Sequence, residues 1–225
     1  MPWFFGDWVR YSRMASAEPI RLINFYPQLH DRTSTTPFDA HYFYMGGWAA
    51  RRIIAGKPAN HVDVGGQAMF VSQLSAAVPV TFIDIRPLGV DFSGLTEVAG
   101  SILELPFPDG SIRSLSCLHV AEHIGLGRYG DPLDPLGTVK AAAELSRVLA
   151  PGGSLFFALP VGRPRLCFNA HRVHSPGQII GMFPGLRLEE FSAVDDEERF
   201  WEKIDPARME SSDYGCGMFW FRKPQ

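Results

Sequence analysis

The sequence predicts a doubly wound α/β fold, and two short apolar segments are the main evidence for it. Residues 61–66 form an apolar run that ends in two glycines, and residues 80–84 form a second run that ends in an acid, Asp84. Both are typical of buried parallel strands followed by turns. Because neighbouring strand ends open on one crevice, glycines there let a ligand approach the backbone, and the acid can bind a ribose diol. The pair therefore predicts a site for a nucleoside-containing cofactor.

The composition fits one globular domain with a sizeable core. The chain has 225 residues, 46% hydrophobic and 20% charged, with a formal net charge of −3. Because no block rich in Lys and Arg occurs, nucleic-acid binding is disfavoured. No apolar run reaches the roughly 18 residues that a membrane-spanning helix needs.

The cysteines predict neither a disulfide framework nor a zinc site. There are three, Cys117, Cys167 and Cys216, which are far apart in the sequence, and no CxxC pair occurs. Cys117 and Cys216 lie in apolar runs and are most simply reduced core residues. Reduced cysteines favour a cytoplasmic location.

Residues 1–35 are predicted to form an irregular N-terminal extension. Its start is aromatic but carries Asp7 and lacks the basic region and cleavage site of a signal peptide. Two roles stay open for its aromatic side chains. They pack on their own domain, which is the simpler alternative, or they contact a membrane interface or a partner subunit.

Two helices are predicted from capping residues and helical spacing. The first begins at Thr36, a cap residue, with Pro37 at the first helical position, and Gly56-Lys-Pro58 ends it. The second spans 135–149 with Asp134 as its cap. The apolar positions that define their buried faces are Phe38, Tyr42, Met45, Ala49 and Ile53 in the first helix and Leu136, Val139, Ala143, Leu145 and Leu149 in the second.

Seven strands are predicted along the chain. The early ones are separated by helices and should be parallel, whereas the last two follow a charged, loop-rich segment and can pair antiparallel. The strands are expected near residues 60–65, 79–84, 95–99, 113–119, 153–160, 186–194 and 214–222.

A series of short motifs then occurs in a fixed order. The series is Val62-Asp-Val-Gly65, Phe82-Ile-Asp84, Leu105-Pro-Phe-Pro-Asp-Gly-Ser111, His119-Val-Ala-Glu-His-Ile124 and Arg147-Val-Leu-Ala-Pro-Gly-Gly153. Over roughly residues 40–222, this series resembles the class I S-adenosylmethionine-dependent methyltransferases. The resemblance implies a Rossmann-like sheet of seven strands, mostly parallel with the last strand antiparallel, and helices on both faces. It makes residues 36–225 a methyltransferase-like domain.

The resemblance also assigns a cofactor site for S-adenosylmethionine. Asp63, Gly65 and Gly66 match the loop beside the methionine end, and Asp84 matches the acid that binds the ribose hydroxyls. Ser101 and Ile102 match the segment flanking adenine.

Two departures from the family pattern concern this site. Gln67 and Met69 replace two glycines of the cofactor loop, and Ser101 replaces an acid on the adenine side. These departures and the aromatic N-terminus motivate an alternative function, a non-catalytic binding or scaffolding protein with the methyltransferase fold.

The acceptor is predicted to be a sugar or another small molecule methylated on oxygen. No Asn/Asp-Pro-Pro-Tyr motif follows the fourth strand, which argues against a base-amine or glutamine-amide methylase. Residues 125–132 and 169–172 resemble a narrower, uncharacterised branch associated with bacterial surface-polysaccharide genes. Both segments follow strands at the carboxyl edge of the sheet, so we expect them to converge on one cavity mouth.

Candidate catalytic and acceptor-binding residues lie at this edge. Asp131, His171 and His119 are of the types that act as a general base, although a buried histidine is often a hydrogen-bonded scaffold residue. Arginines here can instead pair with surface acids. The candidates for acceptor binding are Arg128, Tyr129, Asn169 and Arg172.

Overall fold

The computed structural model describes residues 2–225, which form two compact units, one ending at Phe38 and one spanning Asp39–Gln225. The first unit was expected to be irregular, but it contains helix α1 (Pro2–Ser12). Within this unit the rings of Phe4 and Trp8 pack on Phe25, with ring centroids 5.5 and 5.6 Å apart. No helix among residues 2–225 is long and apolar enough to cross a membrane.

The second unit is built on an eight-stranded sheet with the order β3-β2-β1-β4-β5-β10-β8-β9. A separate two-stranded sheet pairs β6 with β7. The strands are β1 (His61–Val64), β2 (Val80–Asp84), β3 (Leu95–Ala99), β4 (Ile112–Leu118), β5 (Leu149–Val161), β6 (Arg165–Cys167), β7 (His171–Val173), β8 (Arg187–Val194), β9 (Phe200–Trp201) and β10 (Gly215–Arg222).

The predicted fold class is confirmed. Strands β1 to β5 pair in parallel, and β10 is antiparallel to both β5 and β8. All seven predicted strands are present. The eighth, β9, has two residues, Phe200 and Trp201, which are too few to give a period-two pattern in the sequence.

Helices cover both faces of the sheet. Helices α2 and α3 supply buried side chains to one apolar cluster, and α4 and α5 to another. Trp48 and Val71 belong to the first cluster, and Leu145 and Ile179 to the second. The helices are α2 (Ala40–Gly56), α3 (Ala68–Leu74), α4 (Gly137–Val148) and α5 (Pro176–Met182), and two 3-10 helices span Ala121–His123 and Pro206–Met209.

The predicted start of the first helix was wrong. Helix α2 begins at Ala40 and its cap is Asp39, whose Oδ1 accepts a hydrogen bond of 3.1 Å from the backbone N–H of Tyr42. Thr36 and Pro37 therefore precede the helix. A carboxylate satisfies a free N–H of the first turn as well as a threonine hydroxyl does, so both positions were compatible with the local sequence.

The predicted face of the second helix was wrong in part. Helix α4 begins at Gly137, and Leu136 and Val139 are exposed. Its buried positions include Ala141 and Ala142 beside Leu145. Small side chains let the helix approach the sheet closely. Which positions of α4 are buried therefore follows from the packing partner rather than from hydropathy.

A buried histidine joins β1 to its neighbour β4. His61 on β1 lies 2.7 Å from Ser114 Oγ through Nδ1 and 2.8 Å from Ser116 Oγ through Nε2, and both serines are on β4. Burial lowers the pKa of His61 to about 3. His61 is therefore neutral in the folded protein throughout the physiological range.

We expect His61 to make stability depend on pH. Its pKa is lower in the folded than in the unfolded chain, so its contribution is complete above about pH 6.5 and declines as pH falls toward about 3. The difference in unfolding free energy between wild type and His61→Gln should therefore shrink between pH 7.5 and pH 5, measured by urea denaturation. Comparison with the variant cancels titration elsewhere. A constant difference over this range would contradict a buried neutral histidine.

Candidate active site

The turn after β1 requires both of its glycines. Gly65 has φ +68°, and a Cβ there would lie 2.9 Å from Val120 Cγ1. A Cβ on Gly66 would lie 2.3 Å from Asp63 Oδ1. The packing of the protein itself therefore excludes side chains at both positions.

The buried side chain of Asp63 holds this turn in place. Its side chain is buried, its Oδ1 accepts a hydrogen bond of 2.9 Å from the Gly66 N–H, and its Oδ2 accepts one from Ser116 Oγ. Burial raises the pKa of Asp63 to about 6, although both hydrogen bonds act to lower it. Asp63 lines neither of the cavities described next, so its position suits support of the turn rather than contact with a ligand.

Two adjoining cavities open at the carboxyl ends of β1, β2 and β4, with volumes of about 690 and 360 Å³. Five residues line both: Gly65, Asp84, Arg86, His119 and Tyr129. The larger cavity is also lined by Asp39, His41, Tyr42, Gly66, Gln67, Phe82, Leu88, Leu118, Glu122, His123, Arg128, Ala170, His171 and Tyr214.

The smaller cavity has mostly apolar walls. Ser101 and Ile102, the predicted adenine-side residues, line it, and Ser101 Oγ accepts a hydrogen bond of 3.1 Å from the Leu103 N–H. Its other apolar lining residues are Val64, Ile83, Ile85, Leu103, Val120 and Ile124. A slot of this kind suits a flat, weakly polar ring such as a nucleobase.

Asp84 stands where the two cavities meet. Its side chain at the tip of β2 is 19% exposed, and its Oδ1 accepts a hydrogen bond of 2.7 Å from the Arg86 N–H. Of the two residues that replace family glycines, Gln67 lines the larger cavity, whereas Met69 is 66% exposed and lines neither. Only one of the two replacements therefore reaches the site.

His119 and Glu122 form a buried charged pair in the larger cavity. His119 has φ +57°, an uncommon backbone conformation for a residue with a side chain. Its Nδ1 lies 3.0 Å from Glu122 Oε1 and its Nε2 lies 3.2 Å from Cys216 Sγ. Both ring nitrogens of His119 therefore face protein groups, so His119 is poorly placed to take a proton from an acceptor.

Charge stabilises this pair in spite of its burial. Burial disfavours the charged form of His119, but Cys216 and the Glu122 carboxylate outweigh it and raise the pKa of His119 to about 10. Burial likewise acts to raise the pKa of Glu122, but His119 and His123 together hold it below its ordinary value. The Glu122 carboxylate is held by His119 Nδ1 at 3.0 Å, and no other residue among 2–225 donates a hydrogen bond to it.

Asp131, a predicted candidate for the general base, does not line the larger cavity. It lines the smaller cavity, and its carboxylate accepts hydrogen bonds from the N–H groups of Gly125 (2.6 Å) and Tyr129 (3.3 Å). Burial acts to raise the pKa of Asp131, but these hydrogen bonds outweigh it and lower the pKa. A carboxylate that holds its own loop on the cofactor side is a weak candidate for the base.

The two loop segments do meet at one mouth. Arg128 Nη1 donates a hydrogen bond of 3.1 Å to Ala170 O, and His123 Nδ1 lies 2.6 Å from the same oxygen. Arg128, Tyr129 and His171 all line the larger cavity, and the His171 ring lies 5.1 Å from that of Tyr214. His171 is thus the predicted base candidate that faces an open space.

Two predicted acceptor-binding residues lie elsewhere. Arg172 is buried, and its guanidinium donates to Ile124 O (2.6 Å) and Asp134 O (3.0 Å). It ties loops together instead of facing the acceptor. Asn169 is exposed and lines neither cavity.

Several residues in or beside the larger cavity were not predicted as site residues. His41 and Tyr42 come from the first turn of α2, and Tyr214 and Cys216 come from the β10 region. No local motif marks any of these four. Glu122 lies inside the 119–124 motif, and its burial beside two histidines is the feature that distinguishes it.

Comparison with known proteins supports the fold. Residues 62–157 match a family model described as a methyltransferase domain, and residues 111–212 match one described as a Caenorhabditis protein of unknown function, DUF268. No curated protein matches the chain.

Solved structures share this architecture at low sequence identity. The N-methyltransferase NodS from Bradyrhizobium japonicum WM9, in complex with S-adenosyl-L-homocysteine, is 19% identical with a TM-score of 0.57, over 80% of this chain and 86% of that chain. The [4+2]-cyclase SpnF is 16% identical with a TM-score of 0.60, over 80% of each chain. The chain therefore has the fold of S-adenosylmethionine-dependent methyltransferases.

We expect Gly66→Ala to destabilise the protein by about 1–3 kcal/mol, because a Cβ there displaces the buried Asp63 carboxylate. Gly46→Ala is the matched control, since a Cβ on this helical glycine meets only Phe70 Cδ2, at 3.7 Å. It should leave stability unchanged or raise it by about 0.5–1 kcal/mol. Denaturant unfolding measures both. Equal effects of the two substitutions would contradict the tight packing of the turn.

Proposed function

We propose that this protein is an S-adenosylmethionine-dependent methyltransferase that methylates a hydroxyl group of a sugar or another small acceptor. The observation that carries the proposal is the cavity junction itself, where the Gly65 turn and the Asp84 carboxylate face one space. The family-model match over residues 62–157 supports it.

The residues present suit this cofactor. Gly65 and Gly66 present backbone to the larger cavity where the methionine end would lie, Asp84 offers carboxylate oxygens to a ribose diol, and the slot beside Ile102 suits adenine. When bound, S-adenosylmethionine supplies a methyl group that is already activated on a sulfonium. Much of the catalysis then comes from holding the acceptor in line, and good orientation is worth on the order of 7–11 kcal/mol.

The larger cavity is the proposed acceptor site. Its lining includes the aromatic rings of Tyr42 and Tyr214 and the polar groups of Arg128 and His171. Aromatic faces with hydrogen-bonding groups between them suit a compact molecule rich in hydroxyls. A sugar of the kind found in bacterial surface polysaccharides is the acceptor class that we favour.

His171 is the proposed general base. Burial lowers the pKa of His171, and the charge of Glu122 only partly offsets this, so the imidazole is neutral at physiological pH and can accept a proton. Such a base, which takes the hydroxyl proton as the methyl group is transferred to the oxygen, contributes roughly 10²–10⁴-fold to the rate.

We expect Asp84→Ala to weaken binding of S-adenosylmethionine by roughly 1.5–3 kcal/mol, the range for hydrogen bonds to a charged group. Isothermal titration calorimetry measures the affinity. Asp91→Ala, which removes an exposed acid that lines neither cavity, is the control and should bind like wild type. Unchanged affinity in a folded Asp84→Ala variant would contradict the proposed contact between Asp84 and the ribose. If wild type binds no S-adenosylmethionine up to millimolar concentration, the non-catalytic binding protein becomes the better hypothesis.

We expect His171→Ala to bind S-adenosylmethionine like wild type but to turn over at least about tenfold more slowly. In wild type the rate should fall on the acid side with a midpoint below about pH 6.5, because burial lowers the pKa of His171. That acid limb should be absent in the variant. Candidate sugars are screened first by methyl transfer from labelled cofactor, and His30→Ala, an exposed histidine of the first unit, is the control. A wild-type rate in His171→Ala would contradict its role as the base. Catalysis would then come only from the orientation of the acceptor.

A further inference from the structure

Three side chains of types that bind metals converge beside the larger cavity, which two of them, His41 and His119, line. They are His41 from the first turn of α2, His119 from the end of β4 and Cys216 from β10. One ligand atom from each lies within 4.8 Å of the other two, and His119 Nε2 lies 3.2 Å from Cys216 Sγ. We propose that these three side chains bind a Zn²⁺ ion.

The distances are close to those that zinc requires. With Zn–N of about 2.0–2.1 Å and Zn–S of about 2.3 Å, a tetrahedral site separates neighbouring nitrogen and sulfur ligands by about 3.6 Å. The observed separations, of 4.8 Å or less, exceed this value by at most about 1.2 Å. Two imidazoles and one thiolate are a donor set that favours Zn²⁺ over Mg²⁺ or Ca²⁺, which prefer oxygen.

Glu122 is the second observation that points to an ion. Metal-binding histidines commonly donate their other ring N–H to a carboxylate, which fixes the ring and increases its basicity. Here Glu122 Oε1 lies 3.0 Å from His119 Nδ1, on the side of the ring opposite Cys216. The carboxylate is fully buried, and apart from His119 no residue among 2–225 hydrogen-bonds to it. A metal ion at Nε2 would displace the second proton of the His119 ring, and Glu122 would then orient the neutral imidazole through its Nδ1–H.

The proposed ion has three protein ligands and a fourth position open to the cavity. His41 and His119 both line the larger cavity, so a water or hydroxyl oxygen can reach that position from the space where Tyr42 and Tyr214 lie. Three protein ligands with an exchangeable fourth are typical of catalytic rather than structural zinc. Zinc binding itself does not depend on the proposed methyltransferase activity. Only a role in holding an acceptor hydroxyl rests on that proposal.

The test is a metal titration of untagged protein stripped with a chelator. Wild type should bind one equivalent of Zn²⁺ in competition with a chromogenic chelator. With Co²⁺ it should give a tetrahedral absorption spectrum with a sulfur-to-cobalt charge-transfer band. Cys216→Ser should lose that band, whereas Cys167→Ser, a cysteine outside the cluster, should keep it.

The histidine ligand and the carboxylate have their own variants. His41→Gln should lose at least about a hundredfold in Zn²⁺ affinity, and Glu122→Gln about 10–100-fold, while His30→Gln should bind like wild type. Circular dichroism checks that each variant is folded. If a ligand variant does not fold, the Co²⁺ spectrum of wild type decides alone. Less than one equivalent of metal in wild type, or a cobalt spectrum without the sulfur band, would overturn the proposal. Calorimetry with S-adenosylmethionine on the metal-free protein tests the proposed function separately.

Discussion

The buried carboxylate of Asp63 is the constraint on which the site depends. It holds the Gly66 N–H on one side and Ser116 of β4 on the other, and Ser116 also contacts His61. This network fixes the end of β1 against the neighbouring central strand. Both cavities open at that turn, so the hydrogen bonds of Asp63 also hold the wall that the two cavities share. Loss of one partner would leave a buried polar group unsatisfied, which costs more than the hydrogen bond itself contributes.

A second buried carboxylate, Glu122, lines the larger cavity beside His119. Asp63 is satisfied by neutral donors, whereas Glu122 is balanced by the imidazoles of His119 and His123, 3.0 and 3.6 Å away. This difference explains why the pKa of Asp63 is raised and that of Glu122 is lowered. The two acids therefore have different roles. Asp63 holds the backbone of the turn after β1, and Glu122 places a negative charge beside the proposed acceptor site.

Several polar residues that the sequence predicts to be catalytic or acceptor-binding instead form hydrogen bonds that hold loops in place. Asp131 accepts hydrogen bonds from its own loop, and Arg172 donates to two carbonyl groups. Arg147 in the 147–153 motif likewise donates to Phe107 O and Leu105 O, and so holds the 105–111 motif in place. Loops at the carboxyl edge carry many backbone groups outside the sheet, and charged side chains satisfy them strongly. The ordered motifs of this chain are thus in part the means by which its loops are fixed.

The sequence by itself determined the fold class, the seven principal strands, the glycine turn and the acid at the tip of β2. These follow from local properties, since apolar runs, glycines and acids at strand ends act within a few residues of one another. Only the tertiary structure decided that α2 starts at Ala40 and that His41 and Cys216 meet His119. The meeting of His41, His119 and Cys216 joins residues up to 175 positions apart. It depends on β10 lying between β5 and β8 in the sheet, a strand order that the residues near Cys216 do not encode.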